Sequence, residues 1–415
     1  MTDEDLLAYK IIDLTDEKGF LCGRLLGDMG ADVIKVEKPG GDFCRNIPPF
    51  YKDIPHSEKS LYWFAYNANK RGITLDIETV DGQAIFNQLV EKTDVIVESF
   101  HPGYMNSLHL GYDDLAKINP GLVMVSISPF GQDGPGSRNI GGDGVIWSMG
   151  GMTYLAGDPD RPPVRISFPQ SYLHAGAAAF LGATLALYER DESGQGQHVD
   201  ISIQECVVQT MMNAIAYWDL QKTNLRRAGQ FRTGLSSTAN QRLIWPCQDG
   251  FVNFPIFGGI MGAKNNRTLT DWMEEEGSGS NYMNSLDWDE FDMAHATQEQ
   301  FDQLEEDIGR FFLNYKKETL YDEARRRRIM LYPVYTSAEI TGSPQLAARG
   351  FWQQVDHPEL GEELIYPGAF AKFSEGSITI KQRAPLIGEH NENVYLHDLG
   401  LSLEDMATLK QAKVI

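Results

Sequence analysis

Short apolar runs alternate with helical patterns through the first third of the chain, and this alternation constrains the fold most strongly. Four runs have the length and the β-branched content of buried strands: 11–14, 32–36, 94–98 and 122–127. Segments 20–29, which stops at Gly30, and 83–92 between them have helical spacing. Strands separated by helices pair in parallel through right-handed crossovers. The sequence therefore predicts an open, doubly wound α/β sheet.

Beyond the alternating segments, the chain is first helical and then changes in character. An Ala-rich helix is predicted over 174–190, and 200–214 continues the helical pattern. From about residue 230, short strands such as 250–254 appear, followed by an acidic Gly/Ser-rich stretch and a charged helical run to Arg328. This change predicts a second, smaller domain. The last helix is predicted from Leu403, after a capping signature that begins at Ser402.

Composition excludes several classes of function. The chain carries 36 basic and 58 acidic residues, a net charge of −22, which argues against a nucleic-acid partner. No apolar run has the length of a membrane helix, and the acidic N-terminal residues 1–5 contain no hydrophobic segment of the kind that a secretory signal needs. The four scattered cysteines predict reduced packing residues and a cytoplasmic location. No metal-ligand spacing, Walker motif or dinucleotide fingerprint supports metal, ATP or NAD chemistry.

A series of short motifs covers nearly the whole chain. They lie at 13–15, 25–37, 67–76, 102–103, 110–112, 131–135, 162–165, 194–202, 347–350 and 384–390. Each motif alone is weak, but in this order and spacing the chain resembles the class III (CaiB/BaiF-type) CoA-transferases. The resemblance implies a large Rossmann-like domain over 1–225, a small α+β domain over 226–335, and a segment 336–415 that returns to the large domain. It also implies an interlocked dimer.

The resemblance implies covalent catalysis by an aspartate. In the family this carboxylate attacks an acyl-CoA thioester, and an anhydride and an aspartyl-CoA thioester follow before an acid takes the CoA. CoA esters are then substrates, and no cofactor is permanently bound. The aspartate lies four residues before the glycine that matches Gly176, where this chain has Tyr172, and none of residues 170, 171 and 173 is a carboxylate. We therefore predict no nucleophile in this chain, with Asp143 and His174 as the remaining candidates.

The resemblance also indicates the CoA-binding and active-site positions. Four residues match expected CoA contacts: Lys38, Asn69, Lys70 and Phe100. Gly258 and Gly259 match a glycine-rich loop that closes over the active site. Two features depart from the family: the loop after the first strand carries Asp16 and Glu17, and Ser107 replaces a phosphate-binding arginine. Acids in that loop would repel the CoA phosphates unless the loop turns away.

Three functional hypotheses follow. The first is a subunit without its own nucleophile that pairs as a heterodimer with an Asp-bearing paralogue. By analogy with a two-subunit enzyme of anaerobic toluene degradation, its donor is succinyl-CoA and its acceptor is benzylsuccinate. The second is a stand-alone acyl-CoA isomerase or racemase that uses His101, His174 and Asp143 as acid and base. The third is a non-enzymatic scaffold on the same fold.

Overall fold

The structure is a computed structural model, and it describes residues 6–233, 239–293 and 295–415. The chain forms two compact units. The first unit comprises Met1–Met152, Ile166–Met212 and Pro344–Ile415, and the second comprises Thr153–Arg165 and Asn213–Ser343. Among the described residues, no helix is long and apolar enough to cross a membrane.

A parallel six-stranded sheet forms the centre of the first unit. Its strands are β1 (Lys10–Leu14), β2 (Asp32–Glu37), β3 (Lys70–Thr74), β4 (Val95–Glu98), β5 (Val123–Ser128) and β6 (His198–Ser202). They lie in the order β3-β2-β1-β4-β5-β6, and every neighbouring pair is parallel. This confirms the predicted doubly wound α/β fold.

Two strands of the six-stranded sheet were not predicted from periodicity. β3 begins with the charged residues Lys70 and Arg71, so a search for runs of apolar residues does not find this strand. The prediction that residues 200–202 are helical was wrong, because Asp200 pairs with Ser126 at the edge of the sheet. An edge strand buries one face, so its apolar residues alternate instead of forming a run.

Helices cover both faces of this sheet. The helices of the first unit up to residue 212 are α1 (Phe20–Asp28), α2 (Leu61–Asn67), α3 (Val80–Val90), α4 (Tyr104–Ser107), α5 (Tyr112–Ile118), α6 (Asp143–Met149), α8 (Ser171–Ser193) and α9 (Ile203–Gln209), whereas α7 (Met152–Leu155) and α10 (Met212–Gln221) lie mostly in the second unit. Two short 3₁₀ helices lie at Phe43–Asn46 and Tyr51–Asp53. Alternate strand residues face opposite sides: Ile12 and Ile96 pack with α3 and α5, whereas Ile11 and Val95 pack with α1 and α8.

The Ala-rich helix α8 packs closely on α1. Its buried residues include Ala175, Gly176 and Ala179. A Cβ atom at Gly176 would lie 2.8 Å from the Cβ atom of Leu21. A side chain at position 176 would therefore clash with α1, so glycine allows α1 and α8 to pack this closely. This packing fixes the position of α8 on the sheet.

The second unit has two small antiparallel sheets and its own core. Its strands are β7 (Phe231–Thr233), β8 (Asn240–Arg242), β9 (Ile244–Cys247), β10 (Gly250–Asn253) and β11 (Tyr332–Val334), all paired antiparallel in the orders β11-β10-β9 and β7-β8. Its helices are α11 (Gly259–Glu275), α12 (Asn281–Ser285), α13 (Gln298–Phe312), α14 (Lys317–Arg327) and α15 (Ser337–Thr341). Trp245, Trp272 and Phe311 are buried in one aromatic cluster that fills this core.

The C-terminal part belongs to the first unit. It contains α16 (Pro344–Ala348), the antiparallel hairpin of β12 (Trp352–His357) and β13 (Glu362–Pro367), a π-helix (Asn393–Asp398) and α17 (Leu403–Gln411). The predicted cap is confirmed, because the Ser402 side chain accepts from the Asp405 amide and the Asp405 side chain accepts from the Ser402 amide. Met406 and Ile415 pack into the same core as Ile12.

Candidate functional site

The strand order reverses between β1 and β4, and this switch point positions the candidate site. In open α/β sheets, ligands bind beyond the carboxyl ends of the strands at such a point. A cavity of about 380 Å³ lies there, which we call the switch-point cavity. Its lining residues are Leu14, Asp16, Val36, Glu37, Lys38, Gly41, Asp42, Phe43, Leu75, Ile77, Ser99, Phe100 and Tyr104.

The structure brings two predicted CoA contacts, Lys38 and Phe100, together in this cavity. The Lys38 Nζ atom lies 2.8 Å from Glu78 Oε1, and the Tyr104 hydroxyl donates to the same oxygen at 2.6 Å. The Phe100 ring packs on Tyr104 with the ring centroids 4.6 Å apart. Sequence reasoning missed Glu78, because no local signal marks a carboxylate that pairs 40 positions away. The ion pair with Glu78 partly neutralises the positive charge of Lys38 at the rim of the cavity.

Asn69 and Lys70, also predicted as CoA contacts, do not line the switch-point cavity. The buried Lys70 ammonium donates to Asp13 Oδ2 at 2.7 Å, Asn67 Oδ1 at 2.9 Å and Phe20 O at 3.0 Å. Burial lowers the pKa of Lys70 to about 8, although Asp13 opposes this. The Asn69 side chain bonds to backbone groups of the C-terminal segment. In this structure the side chains of both residues make internal hydrogen bonds that stabilise the fold.

The loop after β1 places a carboxylate at the switch-point cavity. Asp16 lines the cavity, and the Ser99 hydroxyl donates to Asp16 Oδ1 at 2.9 Å. The Lys18 ammonium pairs with the Asp16 carboxylate from the same loop. Burial, and then the charge on Asp16, raise the pKa of Glu17. Asp16 is therefore turned toward the cavity, whereas Glu17 is not among its lining residues.

Tyr172 lies in the first turn of α8, with 6% of its surface exposed. Its hydroxyl oxygen accepts a hydrogen bond from the backbone amide of Asp143 at 3.0 Å. Burial, and then the charge on Glu17, raise the pKa of Tyr172. The phenol is therefore neutral at ordinary pH, and its oxygen is occupied by an internal bond.

Asp143 completes a reciprocal cap between two helices. It is the first residue of α6, and its Oδ1 accepts from the Ser171 amide at 3.0 Å and the Ser171 hydroxyl at 2.6 Å. The Tyr172 hydroxyl thus accepts from the start of α6, while the Asp143 carboxylate accepts from the start of α8. Carboxylates are favourable at helix N-termini because unpaired amides are concentrated there.

The other predicted site residues lie apart from this cap. The His174 ring meets the edge of Trp147 at 5.9 Å and lines a shallow groove. His101 lines a separate cavity. Within the described ranges, no hydrogen bond or ion pair joins any two of His101, Asp143 and His174. The acid–base set of the racemase hypothesis is therefore not assembled here.

Gly258 and Gly259 lie in the second unit, at the start of α11. Gly258 is the N-cap residue, and Gly259 has a φ angle of 71°. This left-handed conformation favours glycine, since a Cβ atom is disfavoured there. The turn that begins α11 thus explains Gly259, and a Cβ atom at Gly258 would lie 2.6 Å from the Met293 Cγ atom. The role of this glycine pair at an active site stays a prediction.

Comparison with known proteins identifies the family. A family model described as CoA-transferase family III matches residues 9–391. The chain belongs to this family. It is 33% identical over 395 residues to the succinyl-CoA:(R)-benzylsuccinate CoA-transferase subunit BbsE of Thauera aromatica, across 94% of this chain and 93% of that one.

Two further comparisons agree with this assignment. The chain is 32% identical to the succinyl-CoA–D-citramalate CoA-transferase of Chloroflexus aurantiacus, across 96% of this chain and 94% of that enzyme. It aligns with the crystal structure of a CAIB/BAIF family protein from Brucella suis at a TM-score of 0.80 and 25% identity. That alignment covers 95% of this chain and 99% of the other. The chain is thus a CoA-transferase of the class that moves CoA between acids, with acyl-CoA and a free acid as substrates.

Proposed function

We propose that this chain is the non-nucleophilic subunit of a two-subunit class III CoA-transferase, and that an Asp-bearing paralogue performs the covalent chemistry. The state of Tyr172 carries the proposal. The resemblance predicts the family aspartate at this position, and the hydroxyl here accepts from the Asp143 amide. A carboxylate forms an acyl anhydride readily, whereas a buried phenol of raised pKa is a poor nucleophile.

The switch-point cavity supports a division of labour between the two subunits. Its cation Lys38 is paired with Glu78, and the Asp16 carboxylate on its wall is paired with Lys18. CoA carries several phosphate charges, and the carboxylates of these two pairs weaken the attraction that the lysines would otherwise exert on them. We infer that the CoA that takes part in the reaction is held mainly by the Asp-bearing partner, and that this chain completes the heterodimer and shapes the acid pocket.

For the substrates, we propose succinyl-CoA as donor and benzylsuccinate as acceptor, within anaerobic degradation of aromatic compounds. The support is the similarity to a relative that is itself named as a subunit of succinyl-CoA:(R)-benzylsuccinate CoA-transferase. A second relative, named for succinyl-CoA and D-citramalate, supports the donor and not the acceptor. The acceptor is therefore the part of the proposal that an assay must decide first.

The test uses this chain alone, the Asp-bearing paralogue alone, and both together. Native mass spectrometry reports whether the two chains associate, and chromatography of CoA esters follows transfer from succinyl-CoA to (R)-benzylsuccinate. We expect full turnover only from the mixture. Hydroxylamine cleaves activated acyl groups on carboxylates, so peptide mass spectrometry after this treatment should find the modified residue on the paralogue and none on this chain.

The control variant is Tyr172→Phe, which removes only the hydroxyl group. The complex with this variant should keep its turnover, because the proposal gives that oxygen no chemical role. Loss of turnover in a folded Tyr172→Phe complex would contradict the assignment. Full transferase activity from this chain without a partner would refute the proposal as a whole.

A further inference from the structure

A second cavity, of about 370 Å³, lies in the first unit on the face of the sheet that carries Met124, Ser126 and His198. The loop after β4, the start of α5 and the loop after β5 surround it. It shares no lining residue with the switch-point cavity. Neither Tyr172 nor Asp143 lines it. The two cavities therefore have different linings, although Glu98 bonds to the amide of Phe100, which lines the switch-point cavity. The volume of the second cavity falls within the range of small-ligand pockets.

Three side chains form a hydrogen-bonded chain along one wall of this cavity. Glu98 is 4% exposed, and its Oε2 accepts from the Phe100 amide at 2.7 Å. The Ser126 hydroxyl bonds to the Glu98 carboxyl group and lies 2.8 Å from His198 Nε2. The Tyr112 ring stacks on the His198 ring at 5.8 Å, which fixes the imidazole plane. The wall thus presents a carboxyl group, a hydroxyl and an imidazole in fixed positions.

Among the residues that the structure describes, the lining also includes a buried hydrogen-bond donor without an acceptor and an exposed arginine, Arg138. The Gln132 amide nitrogen, Nε2, is buried and has no hydrogen-bond partner in the part of the chain that the structure describes. Its backbone is fixed, because the Gln132 amide donates to Asp200 Oδ2 at 2.8 Å. In the same described ranges, the Arg138 guanidinium has no carboxylate within ion-pair distance. A buried donor without an acceptor is costly, and a ligand oxygen would satisfy it.

We propose that this cavity binds a small hydroxy- or oxo-carboxylic acid as its carboxylate. The Arg138 guanidinium and the Gln132 amide hold the carboxylate, since the arginine fork matches two carboxylate oxygens. The hydroxyl or carbonyl oxygen of the ligand bonds to the Glu98–Ser126–His198 chain. Met124 and Met105 line the space between the two ends and contact the carbon chain. Asp113 and Glu98 also line the cavity, and the single charge of Arg138 balances one ligand carboxylate, so a monocarboxylate fits better than a dicarboxylate.

The experiment is isothermal titration calorimetry, which measures the affinity of the full-length chain for three matched probes. 3-Hydroxybutyrate has both recognition groups, butyrate lacks the hydroxyl, and 3-hydroxybutyramide lacks the charge. We expect one molecule of 3-hydroxybutyrate per chain. Butyrate should bind several-fold more weakly, since a neutral hydrogen bond is lost. The amide should bind about tenfold more weakly or worse, since a charge-assisted bond is lost.

Two variants and one competitor locate the binding. The Arg138→Gln substitution should lower the affinity for 3-hydroxybutyrate about tenfold or more. The control Arg349→Gln makes the same change at an exposed arginine outside the cavity and should leave affinity unchanged. Saturating CoA should not displace the probe. No binding, equal affinity in Arg138→Gln, or displacement by CoA would each overturn the proposal, and none of these results depends on whether the chain has a catalytic partner.

Discussion

Replacing Glu98 with Gln should change how the stability of the protein depends on pH. Burial raises the pKa of Glu98 from 4.5 to about 7, although bonds from Ser126 and the Phe100 amide favour the ionised form. Other charged or titratable groups that face it are Lys18 and Asp16 of the loop after β1, and His101, Asp113, Arg138 and His198 around the cavity. Since its folded pKa lies above its unfolded value, the folded protein binds more protons there than the unfolded chain does.

The sign and size of the effect follow from this difference. Between about pH 4.5 and 7 the folded state holds a proton that the unfolded state releases, so Glu98 makes the folded state less stable as pH rises. One pKa unit corresponds to about 1.4 kcal/mol. A shift of roughly 2.5 units therefore lowers the free energy of unfolding by about 2 to 3 kcal/mol between about pH 5 and pH 8. Glu98→Gln removes this contribution.

The assay is urea unfolding of the wild-type chain and Glu98→Gln at several pH values, followed by tryptophan fluorescence. The variant should gain stability relative to wild type by about 2 to 3 kcal/mol across that pH range. The control Glu91→Gln makes the same substitution at the exposed C-cap of α3 and should track wild type. Parallel stability profiles for wild type and Glu98→Gln would refute the reasoning, because Glu98 would then titrate alike in both states.

Three further predictions concern the capped helices, the buried ion pair and the acidic loop. Asp143→Ala should lower the free energy of unfolding by about 1 to 2 kcal/mol in thermal or urea unfolding, since Ser171 loses its acceptor, and Asp143→Asn should recover part of this. Lys70→Met should cost about 3 to 5 kcal/mol in urea unfolding because it leaves the Asp13 carboxylate buried without its closest cation, and unchanged stability would contradict this. Asp16→Asn should strengthen CoA binding in titration calorimetry by a few-fold, whereas weaker binding would show that the carboxylate does not oppose the phosphates.

The sequence predicted the central strands because strands buried on both faces are continuous apolar runs. β1, β2, β4 and β5 consist mainly of apolar residues, with Asp13 in the interior of β1 and Lys35 in the interior of β2 as charged exceptions, and each lies close to its predicted position. β3 could not be predicted in this way, because Lys70 is charged and becomes a buried strand residue only through its bond to Asp13, 57 positions away. Its burial depends on a partner that no local window contains.

The candidate site was predicted in part. The family resemblance selected Lys38 and Phe100, and both line the switch-point cavity. It also selected Lys70, whose side chain bonds internally instead. A motif identifies residues that a family uses together, but it does not distinguish a residue that contacts a ligand from one that supports the wall behind it. Glu78, which pairs with Lys38, had no signal at all.

The sequence by itself determined the doubly wound sheet, the acidic net charge and the presence of tyrosine at position 172, since each of these is a local pattern or a composition. Only the tertiary structure decided what the Tyr172 oxygen bonds to, and that Glu98, Ser126 and His198 form one hydrogen-bonded chain. Ser126 and His198 are 72 positions apart and meet because β5 and β6 are neighbours in the sheet. Hydrogen bonds extend over about 3 Å, so their partners are set by strand order and register rather than by distance along the chain.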